Sequence, residues 1–189
     1  LLKDNDVKVI SIDNYVNSGE VTYSRLEKVS GIRPDFHKVD LCEKDDLFSL
    51  MEKLPRIDGI IHFAALKAVP ESVADPLLYY RNNINSLANI LELCTRKHIE
   101  HFIFSSSCSV YGNTKALPVT EDTPIQQSVS PYGHTKQIGE EMIRYYCKAD
   151  PSLKAVILRY FNPVGAHMSG LLGEMPIKRP DNLVPVITQ

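Results

Sequence analysis

The sequence predicts an α/β fold built as a doubly wound parallel sheet. Short apolar runs alternate along the chain with longer segments in which apolar residues recur at helical spacing. This alternation is typical of strands that are joined by helical crossovers. Because the apolar runs are nearly continuous, they favour parallel strands that are covered on both faces. The chain of 189 residues is long enough to bury a substantial core.

Five apolar runs are predicted as strands, in the order in which they occur. They lie at residues 7–13, 36–41, 57–65, 101–104 and 155–160. The run at 36–41 is the weakest of the five. The fourth run leads directly into three serines, Ser105 to Ser107.

Three segments are predicted as helices because their apolar residues repeat every three or four positions. They lie at residues 43–53, 76–97 and 132–148. The predicted apolar face of the second helix comprises Leu77, Tyr80, Ile84, Leu87, Leu91 and Cys94, and that of the third comprises Ile138, Met142, Tyr145 and Tyr146. Residues 163–189 are rich in Pro and Gly and have little periodicity, so we expect them to begin a second unit after a domain at 1–162.

The composition excludes several classes of protein. A net charge of -2 argues against a nucleic-acid or membrane surface held by bulk electrostatics. The four cysteines, at positions 42, 94, 108 and 147, form no CxxC pair, and the histidines complete no metal pattern. Scattered thiols favour a reducing compartment, hence a cytoplasmic location, over a disulfide framework. The sequence shows no signal peptide and no apolar run of membrane-spanning length.

Candidate site residues follow the strands, because ligands of doubly wound sheets bind beyond the carboxyl ends of the strands. These residues are Asp13-Asn14, Asp40-Leu41, Phe63 to Lys67, Ser105 to Ser107, and Tyr160 to Asn162.

Tyr132 and Lys136 lie four positions apart, so their side chains share one face of the third predicted helix. A tyrosine with its ordinary pKa near 10 is a poor base at neutral pH, but a nearby ammonium ion lowers that pKa. The pair can therefore accept a proton from a hydroxyl group. Tyr111 and Lys115 show the same spacing, but Pro118 and polar residues follow closely and indicate a loop.

The serines that follow the fourth strand allow two interpretations. A hydroxyl at the end of this strand can bind the same substrate oxygen as Tyr132. Alternatively, the serines satisfy backbone groups at the strand end, which for any single serine is the simpler interpretation.

In combination, several motifs are specific. They are Phe104 to Ser107, Val110 to Gly112, Ser130 to Gly133 with Lys136, Phe63 to Val69 with Glu71 to Val73, Tyr79-Tyr80 with Asn82-Asn83, Leu158 to Pro163 with Gly165 to His167, and Ser169-Gly170, Gly173-Glu174, Asn182-Leu183 and Pro185. With these motifs the chain resembles the extended short-chain dehydrogenase/reductase family and, within it, the UDP-glucose 4-epimerases. The resemblance covers essentially the whole chain, in order.

The resemblance implies a Rossmann-like fold and the interconversion of UDP-glucose and UDP-galactose through reversible, NAD-dependent oxidation at C4 of the sugar. It implies that Tyr132 accepts the proton and that Lys136 holds the nicotinamide ribose and lowers the pKa of the tyrosine. It also implies that Ser107 hydrogen-bonds the reacting oxygen.

The resemblance further implies two sets of binding positions. The expected cofactor positions, besides the three catalytic residues, are Asp13, Asn14, Asn17, Ser18, Asp40, Leu41, Phe63, Ala64, Ala65, Lys67, Asn82 and Phe161. The expected substrate positions are Lys67, Ser107, Tyr132, Asn162 and Asn182. A carboxylate at Asp13 binds ribose hydroxyls and repels a 2′-phosphate, which favours NAD over NADP. No metal site is expected.

The chain also departs from the family pattern. Ala65 stands where glycine is frequent, Cys108 where alanine is frequent, and His134-Thr135 in place of Lys-Ser. No Gly-rich cluster of the kind that binds the cofactor diphosphate occurs. We therefore expect a chain truncated at both ends, with an incomplete NAD-binding domain at 1–162 and the start of a nucleotide-sugar domain at 163–189. Alone, such a chain should be inactive and bind NAD poorly.

Three alternatives are open. A sugar 4,6-dehydratase is disfavoured, since it carries an acidic pair after the strand, where this chain reads Ser107-Cys108-Ser109. The other two alternatives are another NAD-dependent nucleotide-sugar epimerase and a non-catalytic truncated product. In the full-length protein, helices 76–97 and 132–148 are expected to form a homodimer interface.

Overall fold

The structure is a computed structural model that describes residues 1–3, 6–173 and 186–187. The chain divides into two compact units, one of Leu1–Asp40 with Asn162–Gln189 and one of Leu41–Phe161. The predicted boundary between functional domains at residue 162 stays a prediction.

The first unit contains two parallel strands and one helix. Strand β1 (Ile10–Asp13) pairs with β2 (Asp35–Lys38), and helix α1 (Val21–Ser30) connects them. Helix α1 was not predicted from the sequence, because its amphipathic pattern is weak and its buried residue is Tyr23. Gly31 ends the helix in the left-handed conformation, with φ 78°, which glycine adopts without steric cost.

The second unit contains three parallel strands in the order β3-β4-β5. These are β3 (Gly59–His62), β4 (His101–Ser107) and β5 (Lys154–Tyr160). The helices are α2 (Lys44–Lys53), the short α3 (Val69–Ala74), α4 (Pro76–Lys97) and α5 (Pro131–Ala149), and a 3-10 helix follows β4 at Cys108–Tyr111. The predicted α/β class with parallel strands is confirmed, whereas α3 and the 3-10 helix were not predicted.

Polar caps begin the two long helices. The carboxylate of Asp75 accepts a hydrogen bond from the Leu78 amide at the start of α4, and Pro76 follows in the first turn. Ser130 accepts one from the Gly133 amide at the start of α5, followed by Pro131. The second cap fixes where α5 begins and hence places Tyr132 in its first turn.

The buried core of the second unit lies between the helices and one face of its sheet. Its largest fully buried apolar side chains include Tyr79, Leu87, Phe102 and Ile143. On the other face Ile61, Val156 and Leu158 are exposed. The described residues therefore leave part of this second face uncovered.

The predicted apolar faces of the helices are only partly the buried ones. In α4, Leu87, Leu91 and Cys94 are buried as expected, but Leu77 is exposed, and the buried face includes the polar Asn83 and Ser86.

In α5, the buried face comprises Gly133, Thr135, Lys136, Gly139, Glu140 and Ile143. The predicted apolar stripe lies beside this face, with Tyr145 70% exposed.

Candidate functional site

The end of strand β4 presents a fixed serine hydroxyl. Ser107 is the last residue of the strand, and its Oγ accepts hydrogen bonds from the amide and the hydroxyl of Ser109, at 3.2 and 2.8 Å. Because Ser109 donates both, the hydrogen of the Ser107 hydroxyl remains available to another acceptor. Ser106, one residue earlier, is buried and points to α5, where its hydroxyl bonds Glu140.

Helix α5 brings a phenol and an ammonium group to this hydroxyl. The Tyr132 phenol lies near the Ser107 side chain, an interaction that acts to lower the pKa of the phenol. Lys136, one turn further along, donates from Nζ to the carbonyl oxygen of Ser105 at 2.7 Å. The ammonium lies 6.0 Å from the centre of the Tyr132 ring and 4.9 Å from that of Phe104. Ser107, Tyr132 and Lys136 therefore lie together at the carboxyl end of β4.

The electrostatics of this cluster differ from the sequence-based expectation. The pKa of Tyr132 is raised, mainly by burial and also by Cys108, although the hydrogen bond with Ser107 lowers it. Burial lowers the pKa of Lys136 to about 8. The expectation that Lys136 lowers the tyrosine pKa is not what the structure shows. The ammonium bonds Ser105, and desolvation of the phenolate dominates.

His62, the last residue of β3, is buried between aromatic rings. Its imidazole stacks on Phe102 and Phe104, with ring centres 6.1 and 6.0 Å apart. Burial, together with the positive charge of Lys136, lowers the pKa of His62 to about 3. A neutral imidazole therefore packs beside the cluster.

Asn83 is a site residue that the sequence analysis missed. Its amide exchanges two hydrogen bonds with the backbone of Leu66, at 2.9 and 3.0 Å, and donates to the Thr135 hydroxyl at 3.1 Å. Asn83 thus joins the loop after β3 to the helix turn that carries Tyr132. The signal available in the sequence was the position of Asn83 in the motif of Tyr79-Tyr80 with Asn82-Asn83.

The remaining predicted residues of the second unit differ in exposure. Leu41 is buried, and its carbonyl accepts a hydrogen bond from Asn89 at 2.8 Å. The amide of Asn82 donates to Asn83 at 2.9 Å. Ala65 is half-buried, whereas the exposed residues are Phe63, Ala64, Lys67 and Phe161.

In the first unit, the carboxylate of Asp13 is held at the end of β1. Its Oδ1 accepts hydrogen bonds from the Tyr15 amide at 2.7 Å and the Ser18 hydroxyl at 2.8 Å. Asn14 donates from its side chain to Asp40 at 3.0 Å. The side chains thus form two hydrogen-bonded pairs, Asp13 with Ser18 and Asn14 with Asp40.

Three further residues of the first unit were predicted as binding positions. Asn17 and Asn162 are exposed. Asn182 lies outside the described residues, so its predicted role stays a prediction.

The second Tyr/Lys motif has a different structural role. Tyr111 ends the 3-10 helix, is buried, and accepts a hydrogen bond from Arg159 at 3.0 Å. The guanidinium of Arg159 also lies 4.9 Å from the centre of the Tyr111 ring. The phenol of Tyr111 is thus bonded to an arginine of β5.

Two classes of site are not found in the part of the chain that the structure describes. There, no group of three or more His, Cys, Asp or Glu side chains is arranged to hold a metal ion. Nor does any helix of the described ranges combine the length and apolarity that a membrane crossing needs.

Comparisons with known proteins agree on one family. The NAD dependent epimerase/dehydratase family matches residues 1–180. A UDP-glucose 4-epimerase from Caenorhabditis elegans is 43% identical over 190 residues, covering 96% of this chain and 54% of that protein. UDP-glucose 4-epimerase 2 from Arabidopsis thaliana is 42% identical over 191 residues, and the match covers 100% of this chain and 54% of the Arabidopsis protein.

Solved structures give the same result. The UDP-glucose 4-epimerase of Bifidobacterium longum, in complex with NAD⁺ and UDP, matches with a TM-score of 0.91 and 45% identity. The match covers 95% of this chain and 53% of that one. The chain spans about half the length of the curated relatives it matches.

Proposed function

Because this chain belongs to the NAD dependent epimerase/dehydratase family, we propose that its full-length protein interconverts UDP-glucose and UDP-galactose. The observation that carries the proposal is the cluster of Ser107, Tyr132 and Lys136 at the carboxyl end of β4. The phenolate of a tyrosine that lies beside a serine and a lysine can remove the proton of a sugar hydroxyl. The relatives named above are UDP-glucose 4-epimerases, which supports a UDP-sugar as the substrate.

We propose NAD as the cofactor, and the donor groups of the chain fit it. In the first unit, Asp13 offers a carboxylate whose Oδ1 is already held by Tyr15 and Ser18. Such a fixed carboxylate suits the hydroxyls of an adenosine ribose and repels a 2′-phosphate. Asn14, Asn17, Ser18 and Asp40 are proposed to complete the adenosine contacts of that unit.

In the second unit, Lys136 is proposed to bind the nicotinamide ribose. Further cofactor contacts are proposed for Leu41, Phe63, Ala64, Ala65, Lys67, Asn82 and Phe161. The sugar nucleotide is proposed to contact Lys67, Asn162 and Asn182 as well as Ser107 and Tyr132.

The proposed chemistry centres on a proton transfer at Oη of Tyr132. When bound, NAD would accept a hydride from C4 of the sugar and would later return that hydride to the opposite face of C4. The Tyr132 phenolate would take the proton of the 4-hydroxyl as the C4–H bond of the sugar breaks, and the phenol would give it back to the sugar oxygen as the hydride returns. Ser107 hydrogen-bonds the same sugar oxygen and keeps it within reach of the phenol.

The raised pKa of Tyr132 has a consequence for this mechanism. With burial holding the pKa above its ordinary value, the phenol is largely protonated at neutral pH. The base is the phenolate, so kcat should increase as the pH rises toward the tyrosine pKa.

A dehydratase fits less well. Elimination needs a carboxylic acid and a carboxylate beside the sugar. After Ser107 the chain continues with Cys108 and Ser109, whose side chain bonds back to Ser107.

We also propose that the full-length protein is a homodimer and cytoplasmic. The groove between α4 and α5 is apolar and exposes Tyr145, which supports a helix-to-helix contact between two copies. None of the four cysteines, which all lie in the described ranges, forms a disulfide, and this supports a reducing compartment.

The decisive experiment replaces Tyr132 by Phe in the full-length protein. Loss of the base should lower the turnover of UDP-galactose by about 10²–10⁴-fold, with NAD binding retained. Tyr145→Phe, the same chemical change on an exposed tyrosine of the same helix, is the matched control and should keep full turnover. Unchanged turnover by Tyr132→Phe would exclude the proposed role.

A further inference from the structure

Glu140 is a buried carboxylate that the proposed reaction does not use. It lies on α5 four residues after Lys136 and eight after Tyr132, on the same side of the helix. Its side chain is 0% exposed. A charge in such a position is costly unless it is paired and hydrogen-bonded.

Four hydrogen bonds satisfy this carboxylate. Oε1 accepts from the Ser106 hydroxyl at 2.7 Å and from Nε of Arg159 at 2.9 Å. Oε2 accepts from Nη2 of Arg159 at 2.7 Å and from Nη2 of Arg144 at 2.9 Å. Burial alone would oppose ionisation, but the bonds from Arg159 and Ser106 outweigh it and hold the pKa of Glu140 below its usual value. The group is therefore an ionised pair with planar, two-pronged geometry.

The second amino group of Arg159 reaches the turn that follows β4. We call residues 106–111 the Ser107 turn. Nη1 of Arg159 donates to the Tyr111 hydroxyl at 3.0 Å and to the carbonyl of Glu121 at 3.3 Å. Ser106 and Tyr111 thus mark the two ends of this turn, and both are bonded to the Glu140–Arg159 pair.

Ser107 lies inside the turn between these two attachments. Its own hydrogen-bond acceptor capacity is filled by Ser109, another residue of the turn. The position of its hydroxyl therefore depends on the shape of the turn rather than on a direct contact with the charged pair.

We propose that Glu140 and Arg159 form a buried positioning pair, which fixes the Ser107 turn at both ends and so holds the Ser107 hydroxyl against the phenol of Tyr132. The proposal rests on the function proposed above for Ser107 and Tyr132. Neither Glu140 nor Arg159 acts on the substrate, and both act through Ser107.

The first test reads the hydrogen bond without any turnover. In the full-length protein with ¹³C-labelled tyrosine, the resonance of the ring carbon bonded to oxygen in Tyr132 is assigned by its loss in Tyr132→Phe. Ser107→Ala defines the chemical shift without the serine bond. Glu140→Gln is expected to move the shift most of the way to that value. Arg144→Gln removes a charge from the same carboxylate but no contact of the turn, and should leave the shift in place.

The second test is a double-mutant cycle on kcat for UDP-galactose. Glu140→Gln should lower kcat by about 10- to 100-fold, since displacement of a catalytic group by about 1 Å has effects of that size. In a Ser107→Ala background, Glu140→Gln should lower kcat by less than about twofold, because its effect on kcat depends on the Ser107 hydroxyl, which that background lacks. A purely structural role would lower kcat equally in both backgrounds.

A double variant separates positioning from stability. Glu140→Leu with Arg159→Met removes both charges together, and such replacements of buried pairs are often neutral for folding. We expect this variant to fold and still to show the displaced Tyr132 shift. A wild-type shift in Glu140→Gln or in the double variant, or additive losses in the kcat cycle, would overturn the proposal. Absence of epimerisation by the wild type would instead reject the proposed function, and the chemical shifts would still report on the pair.

Discussion

Lys136 is held in an unfavourable position for a charge. Burial lowers its pKa from 10.5 to about 8, a difference worth about 3 kcal/mol of destabilisation at neutral pH. The hydrogen bond from Lys136 to the Ser105 carbonyl stabilises the fold by about 1 kcal/mol. A group that is costly to the fold and lies at the candidate site is typical of a functional residue.

We therefore expect Lys136→Met to stabilise the protein at pH 7 by about 1–2 kcal/mol while it loses activity. Between pH 8 and 10.5 the wild type gains stability as the pH rises, because the unfolded chain keeps a proton that the folded lysine has released. The advantage of the variant should shrink over that range. Denaturant unfolding at several pH values measures it, with the exposed Lys148→Met as control. A less stable Lys136→Met at pH 7 would contradict this account.

His62 should make the fold sensitive to acid. In the folded protein its pKa of about 3 lies below the ordinary 6.5. The stability that the neutral imidazole contributes is therefore complete above pH 6.5 and is lost as the pH falls toward 3. At pH 5 the loss should be about 2 kcal/mol. His62→Phe, which keeps a ring between Phe102 and Phe104, should lack this loss. Unfolding curves at pH 5 and 7.5 test it against His101→Phe, an exposed histidine whose variant should retain the acid loss.

Single site residues were predictable from sequence where a motif fixes them. The spacing of Tyr132 and Lys136 and the serines that end β4 are visible in the sequence, and the structure brings them together. The pairing of Glu140 with Arg159 was not predictable, because it joins a helix and a strand 19 residues apart. The direction of the Tyr132 pKa also depends on burial, which spacing alone does not show.

At the scale of elements, α5 shows why apolar periodicity can mislead. Its sheet-facing side carries Lys136, Gly139 and Glu140, which serve the site and the close packing against β4. Its apolar stripe lies to one side, so the strongest periodic signal marks a surface other than the core. Strand and helix positions were predicted well, since they depend on local runs of residues. The weak helix α1 was missed because its burial depends mainly on Tyr23.

Gly139 sets how closely α5 approaches the sheet. A Cβ at this position would lie 2.8 Å from Cζ of Phe104 and 3.1 Å from Cδ2 of Leu87. Gly139→Ala should therefore destabilise the fold by about 1–2 kcal/mol, because overpacking outweighs the better helix propensity of alanine.

Thermal or denaturant unfolding measures this effect. Gly19→Ala is the matched control, since a Cβ there meets nothing within 4 Å, and it should change stability by less than about 0.5 kcal/mol. A Gly139→Ala protein as stable as the wild type would show that Phe104 and Leu87 can move aside.

At the scale of the whole molecule, the chain carries an apolar surface that its own described residues leave open. Helices α4 and α5 pack together and form a groove of about 660 Å³ on their outer side. The groove is lined by Ala88, Leu91, Glu92, Ile138, Glu141, Met142, Tyr145, Tyr146 and Ala149. An exposed apolar groove rimmed by two carboxylates is typical of a protein–protein contact.

The last prediction is that this groove forms the interface of a homodimer in the full-length protein. The two helices run parallel, since Asn83 bonds Thr135 near their starts and Thr95 bonds Asp150 at their ends. Their shared apolar stripe can pair with the same stripe of a second copy in a four-helix arrangement. Sedimentation at micromolar concentration should give a dimer for the wild type. Met142→Asp should weaken it, because a carboxylate would be buried without a partner. Leu117→Asp, at a residue 81% exposed and outside the groove, should leave the dimer intact. A monomeric wild type, or a Met142→Asp protein that dimerises normally, would show that the apolar stripe of α5 serves another contact.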